Sequence, residues 1–340
     1  MVLIKADNEN DKRASIMSQH WDEYWQQGHL TSFGESFTGN YSGILETIWH
    51  QDFKHLPDNF KVLDLATGNG ALPLLLNQFF KDASKKGTVV GVDLAQINTD
   101  LSKLDLSEQV EVSLVSHVDC ANLPYEDNSF DQVISQYGLE YSDLTHSIPE
   151  ALRVLRPGRQ LSLVAHHSRS MIINRNRRIL ALINQQATYE VFVTMGKLIE
   201  QMGSLTNGED LQRIKQDAHC ERLRGELNQS ISLLAQTDEE ALKDSELLTY
   251  VASLFQQGLF WPIEKKRQYL DFARTQIDTL RERLGELVQA SIDELALSAM
   301  LANLIELGAS LSSVKQIEDD NSQVLGWKIV INKLSRGNGH

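Results

Sequence analysis

Apolar residues follow two rhythms along this chain. From about residue 60 to 167 they come in short blocks, bounded by glycine, acids and proline. From residue 168 to 311 they recur every three or four positions instead. The first rhythm predicts buried strands and the second amphipathic helices. Val62-Leu63-Asp64-Leu65-Ala66, Thr88–Val92, Asp131–Gln136 and Gln160–Ala165 are the strand blocks. Ile148 to Gly158 reads as a helix closed by Pro157-Gly158. In the second region Ile179, Leu182, Ile183 and Ala187 share a helical face, as do Leu270, Ala273, Ile277, Leu280 and Leu284. Glu264–Leu307 predicts two long helices split near Ser291, and Pro262 is the one proline between residues 168 and 311. Alternation returns at Ser313–Ile317 and Gly326–Ile331, the pattern of an antiparallel pair. No internal repeat of fixed period and no low-complexity tract appears.

The first block runs directly into Thr67-Gly68-Asn69-Gly70 and then into Ala71–Leu76, which reads as a helix. Strand, glycine turn and helix in that order make a nucleotide cradle at the edge of a doubly wound sheet. Glycine lets backbone approach a ligand without a Cβ clash. Asp64 can order the turn or accept from a ligand amine. Asp93 closes the second strand, where an acid bonds ribose hydroxyls. It can equally cap the segment Leu94-Ala95-Gln96. The glycine turn alone is also compatible with a tight turn or a dinucleotide site.

Three segments carry a more specific signal. Asp64-Leu65-Ala66-Thr67-Gly68-Asn69-Gly70 resembles the first motif of class I S-adenosylmethionine (SAM)-dependent methyltransferases. Asp119 to Asp131 resembles their stretch Asp-Ala-x-x-Leu-Pro-Phe-x-Asp-x-Ser-Phe-Asp, with Cys120 for alanine and Tyr125 for phenylalanine. Arg153-Val154-Leu155-Arg156-Pro157-Gly158 is similar to a later segment of that family, with Arg159 in place of a second glycine. The resemblance covers residues near 60 to 167 and extends to the two closing strands. It implies an α/β fold: a doubly wound, seven-stranded, mostly parallel Rossmann-like sheet. A large all-helical insertion then falls between strands five and six. The implied cofactor is SAM. The implied cofactor site is Asp64, Ala66, Thr67, Gly68, Gly70, Asp93, Leu94, Asp119, Cys120, Ala121 and Gln136, with Asp119 and the backbone after it at the adenine edge.

The implied reaction is in-line methyl transfer to a small-molecule acceptor, with S-adenosylhomocysteine as product. Alignment carries most of such a reaction, so no catalytic side chain is obligatory. His166 and Tyr137 are the catalytic candidates, each at the carboxyl end of a strand. Alternation puts His166 and His167 on opposite faces, and His166 is the one assigned to the pocket. A histidine bonded to a neighbouring loop is the plainer alternative. His146 is a further candidate, and Tyr141 can pack against an acceptor. His117, His146 and the His166-His167 pair lack metal-ligand spacing, so no metal is expected.

Charge, cysteines and length narrow the picture. The chain has 340 residues and a net charge of −14, which disfavours a nucleic-acid substrate. Arg169, Arg175, Arg177 and Arg178 form the most basic cluster, either a solvated face or a dock for an acidic acceptor. Two cysteines, a polar Met1–Arg13 without a signal-peptide core, and no membrane-length apolar run predict a cytoplasmic protein with no membrane partner. Four parts are expected: residues 1–55 as tail and cap helices, 56–167 as SAM-binding core, 168–311 as helical insertion, and 312–334 as closing strands. The insertion is either a lid over the pocket or a homodimer interface. Trp21 and Trp25, one helical turn apart after His20, read as a hydrophobic staple or as a flap over the cofactor. Ser32–Phe37 reads as a mobile loop completing the pocket. Competing readings are a protein or RNA methyltransferase, and a non-catalytic SAM-fold protein that binds a partner through its helices.

Overall fold

The structure is a computed structural model and describes residues 21–31 and 39–335. Met1–Arg13, His20 and the Ser32–Phe37 loop lie outside the described residues. The chain forms two compact units, one drawn from residues up to Met171 and from Ala290 onward, the other spanning Ile172–Gln289.

The first unit is built on a seven-stranded sheet in the order β3-β2-β1-β4-β5-β7-β6. Its strands are β1 (Phe60–Leu65), β2 (Gly87–Val92), β3 (Val110–Val115), β4 (Phe130–Gln136), β5 (Leu155–Ala165), β6 (Ala309–Glu318) and β7 (Val324–Lys333). β1 to β5 pair in parallel; β7 runs antiparallel to both β5 and β6. The fold implied by the sequence is therefore the one observed, helical insertion between β5 and β6 included. Helices α1 (Gly43–Phe53), α2 (Ala71–Phe79) and α3 (Leu144–Val154) belong to this unit.

Alternation explains the two layers. Val62 and Ile134 face a core shared with Trp49 and Phe53 of α1 and Leu72, Leu75 and Leu76 of α2. Their neighbours Leu63 and Val133 face the opposite core, with Ile148, Ala151 and Leu152 of α3. Helices on both sides bury both faces of β4, whose seven residues are all buried.

Two boundaries differ from the sequence reading. α3 begins four residues before Ile148, because Asp143 caps it by accepting the Thr145 N–H. It ends at Val154 rather than at Pro157-Gly158. Pro157 disfavours helix at the residue before it, and Leu155, fully buried, pairs with Phe130 as the start of β5. The strand that the sequence reading did not place is β3, at the sheet edge.

The second unit is helical: α4 (Met171–Ile183), α5 (Gln186–Met202), α6 (Gly208–Gln216), α7 (Ala218–Asp244), α8 (Leu247–Ala252) and α9 (Ile263–Ala290). Asn207 and Asp217 cap α6 and α7, each accepting two backbone N–H bonds. Its own core contains Val191, Met195, Leu234, Leu242, Leu247, Ala273 and Ile277. The split expected near Ser291 is present: α9 ends at Ala290 and α10 (Glu294–Leu301) begins behind an Asp293 cap. α10 belongs to the sheet unit, where Leu297 packs in the same core as Leu63.

Candidate active site

A cavity of about 130 Å³ opens at the carboxyl ends of β1, β2 and β4. Parallel strands end there with backbone groups that have no further ladder partner, so ligands of open α/β sheets collect there. Its floor is the turn after β1. Gly68 (φ 55°) and Gly70 (φ 88°) are both in the left-handed region. A Cβ on Gly68 would sit 2.5 Å from the Trp25 ring, and one on Gly70 2.9 Å from Leu114. Ala66 also adopts positive φ (54°), as does Tyr137 (53°) at the end of β4. Non-glycine residues held this way store strain, and here both line the cavity. Gly138 lets the two strand ends approach: a Cβ there would lie 2.6 Å from that of Ala66.

Two acids here, Asp64 and Asp93, are deeply buried, whereas Asp119 is exposed. Thr67 Oγ1 donates to Asp64 Oδ2 at 2.5 Å, while Asp64 Oδ1 has no partner. Burial raises the Asp64 carboxyl to about 8. Asp93 accepts the Gly68 N–H at 2.7 Å and the Ala95 N–H at 2.9 Å, so it caps both the glycine turn and its own following segment. Burial raises it to about 6 against those two bonds. Asp119 accepts from the Ala121 N–H at 2.8 Å. Burial pushes the Cys120 thiol up to about 12, so it stays protonated.

Of the sequence-assigned residues, Ala66, Thr67, Gly68, Asp93, Leu94, Asp119, Cys120, Gln136 and Tyr137 line the cavity. Asp64, Gly70, Ala121 and His166 stand behind it. Residues of the Asp119–Asp131 stretch beyond Cys120 serve as scaffold. Arg153 donates to the carbonyls of Leu123 and Tyr125 and pairs with Asp127 and Glu150. Two of the matched segments are thus halves of one network. Arg159, the departure from the family pattern, pairs with Asp131 at 3.5 Å beside the shorter Arg156 bridge.

The two histidines diverge as alternation requires. His167 stacks on Trp327 and takes the Arg169 N–H on Nδ1. His166 stacks on Tyr137, with ring centroids 4.3 Å apart, and meets the edge of Tyr141. Neither ring nitrogen of His166 has a partner, and burial lowers its pKa to about 3. Its backbone N–H is held by the buried carboxylate of Glu140, which burial raises to about 7. Gln136 accepts from Trp49 Nε1, leaving its own Nε2 unsatisfied. His146 is exposed and bonded to Asp143. The arginine cluster is already engaged: Arg169 with Glu294, Arg175 with Asp244, Arg178 with Asp238 and Glu240, and Arg177 with Asn174.

The sequence reading missed Leu30, Tyr41 and Ser142 as lining residues. It left Trp21 and Trp25 between two roles; both line the cavity, their rings stacked 5.9 Å apart. It also missed Asn69 and Glu140. Asn69 sits in the glycine turn and Glu140 just beyond β4, at positions where spacing alone assigns no role.

Residues 63–163 match the family whose description is Methyltransferase domain. Residues 63–163 thus carry a methyltransferase domain, similar to those of SAM-dependent methyltransferases. A ubiquinone/menaquinone biosynthesis C-methyltransferase from Rickettsia bellii is 27% identical over 162 residues, 45% of this chain and 60% of that protein. A demethylmenaquinone methyltransferase from Staphylococcus aureus is 35% identical over 99 residues, 29% of this chain and 39% of that one. The chain therefore spans less than two thirds of the length of these relatives. A SAM-dependent methyltransferase structure from Methanosarcina mazei aligns at 14% identity and a TM-score of 0.38, over 87% of this chain and 99% of that one, which is too loose to carry an inference. Within residues 63–163 lie the glycine turn and the buried acids at the ends of β1 and β2. Among the described residues no group of three His, Cys, Asp or Glu side chains is arranged to hold a metal. No described helix is long and apolar enough to cross a membrane.

Proposed function

We propose that the chain methylates a small, neutral, planar acceptor using SAM. SAM supplies a methyl group on an electrophilic sulfonium. In this reading Asp93 and Asp119 hold its ribose and adenine, and Gly68 gives it room against the turn. Ala66, Thr67, Leu94, Cys120 and Ala121 shape that end of the cavity; Asp64 orders the turn from below, and Gly70 starts α2.

One observation carries the choice of acceptor. The described lining pairs two carboxylates with the rings of Trp21, Tyr41, Tyr137 and Tyr141 and contains no Lys, Arg or His. An acidic acceptor would find no counter-charge there, and the four arginines once considered for it are engaged elsewhere. A neutral ring would be held by aromatic faces. The relatives named above are C-methyltransferases of quinone biosynthesis and a demethylmenaquinone methyltransferase, which favours a hydroxylated or quinonoid ring. Gln136 Nε2 offers a free donor for such an oxygen.

His166 and Tyr137 act as positioning groups in this reading. Tyr137 donates to the Leu325 carbonyl at 3.3 Å, and burial raises its pKa, so it remains a phenol. A histidine with a pKa near 3 is unprotonated at neutral pH but a weak base. It orients Tyr137 and can accept a hydrogen bond.

The test is calorimetric titration with SAM and S-adenosylhomocysteine, then turnover on matched neutral and carboxylated phenols. Micromolar binding of both cofactor forms and turnover on the neutral set support the reading. Turnover on the carboxylated set alone would reverse the acceptor assignment, and absence of cofactor binding would sink the activity itself.

A further inference from the structure

One side chain ties the cavity wall formed by Trp21 and Trp25 to the glycine turn. Asn69 lies between the two floor glycines and is 2% exposed, but it points away from the cavity. Its Nδ2 donates to the Trp25 carbonyl at 3.0 Å and to the His29 carbonyl at 2.7 Å, and its Oδ1 accepts the Asn98 N–H at 2.9 Å. Both amide donors and an acceptor are therefore in use. Residues 21–26 are helical, and the Trp25 carbonyl at that helix end accepts the Gly28 N–H at 3.1 Å as well as the Asn69 amide. The same segment is held from the loop after β2: Asp22 accepts the Gln96 N–H at 2.6 Å, and Asn98 Nδ2 donates to the Gln26 carbonyl at 3.2 Å. The Trp25 ring meanwhile covers Gly68 on the side where a Cβ would stand. The backbone that a glycine turn exposes to a ligand is thus roofed by a ring on a segment fastened to the same turn.

We propose that Asn69 is a positioning residue that latches residues 21–31 over the cofactor end of the cavity, and that this latch opens to admit and release the cofactor. The inference rests on the SAM-binding reading above. The amide suits the place, since one side chain donates to two carbonyls and accepts one N–H.

The test uses the full chain with Asn69→Asp, which preserves volume and the bond to Asn98 but sets a carboxylate against two carbonyls. Amide hydrogen exchange of residues 21–31 should accelerate about tenfold or more, the worth of roughly one hydrogen bond, with β1 and β4 unchanged. The excess should shrink as pH falls through the pKa of the new carboxyl, which burial against two carbonyls sets above the ordinary value near 4, because the protonated carboxyl regains a donor. Asn69→Ala should show the acceleration without that pH dependence. Asp22→Ala, outside the motif, should accelerate the same amides by a smaller factor and serves if the Asn69 variants fold poorly. Association and dissociation of S-adenosylhomocysteine should both quicken in the variants, with Kd moving less than either rate. Unchanged exchange at residues 21–31 would overturn the latch and leave the cofactor reading standing. If wild-type protein binds no cofactor, the functional reading fails while the exchange result still decides the latch. Slower or equal cofactor rates alongside faster exchange would overturn the gating half of the proposal.

Discussion

The helical unit and the surroundings of the cavity in the sheet unit bury polar groups under opposite rules. In the helical unit Lys266 is 1% exposed, and its Nζ donates to the Gly203 carbonyl at 3.0 Å. Thr188 and Ser245, equally buried, donate to the carbonyls of Leu182 and Leu242. Lys328, in the sheet unit but outside the cavity lining, is treated the same way: it bridges Asp52 at 2.5 Å over the Trp49 ring. Around the cavity the rule fails. The buried side-chain atoms without partners among the described residues are Asp64 Oδ1, Gln136 Nε2 and both ring nitrogens of His166, all at the ends of β1, β4 and β5. Each such atom costs about 1–3 kcal/mol. A fold that satisfies a lysine inside a helical core and leaves these four unmet gives up stability in one place. Of the three residues only Gln136 lines the cavity, so its Nε2 is the donor that a ligand there could meet.

Substitutions can break this contrast. Gly68→Val should have the largest effect: a branched side chain in left-handed backbone, set against Trp25, should abolish SAM binding in calorimetry. Normal binding would remove the glycine turn from the site. Leu234→Ala, in the helical core, should cost about 2–5 kcal/mol in denaturant unfolding of that unit yet leave SAM affinity intact. A parallel loss of affinity would mean that the two regions do not divide stability from binding as described. Asp93→Ala should weaken SAM binding by about 1–3 kcal/mol, and an effect on stability alone would reduce Asp93 to the cap it forms with Gly68 and Ala95.

His166 gives the smallest and most specific signal. Its folded pKa, near 3, lies below its unfolded value of 6.5, so the neutral ring stabilises the fold above pH 6.5. That contribution is lost as pH falls from 6.5 toward 3, where the unfolded chain takes a proton that the folded one refuses. His166→Phe should flatten the acid side of the stability curve by up to about 1.4 kcal/mol per pH unit, read by urea unfolding at successive pH values. An unchanged slope would mean the imidazole is hydrated rather than buried.

The sequence already held the sheet, the glycine floor and the split between α9 and α10, because each is written in short-range terms. Burial on both faces demands continuous apolar blocks, left-handed turns demand glycine, and Asp293 marks a helix start. It also separated His166 from His167, since alternation along a strand is a local rule. It did not show that Arg153 ties two matched segments together, that Asn69 caps a helix forty residues earlier in the chain, or that Glu140 holds the His166 backbone. Those pairings join residues distant along the chain, and no local periodicity encodes them. Which buried atoms would go unsatisfied, and on which side of Tyr137 the aromatic wall would stand, was likewise decided only when the strand ends and the residue 21–31 segment met in space. Hydrogen-bond completeness and desolvation belong to an enclosed volume, and a chain has no enclosed volume until it folds.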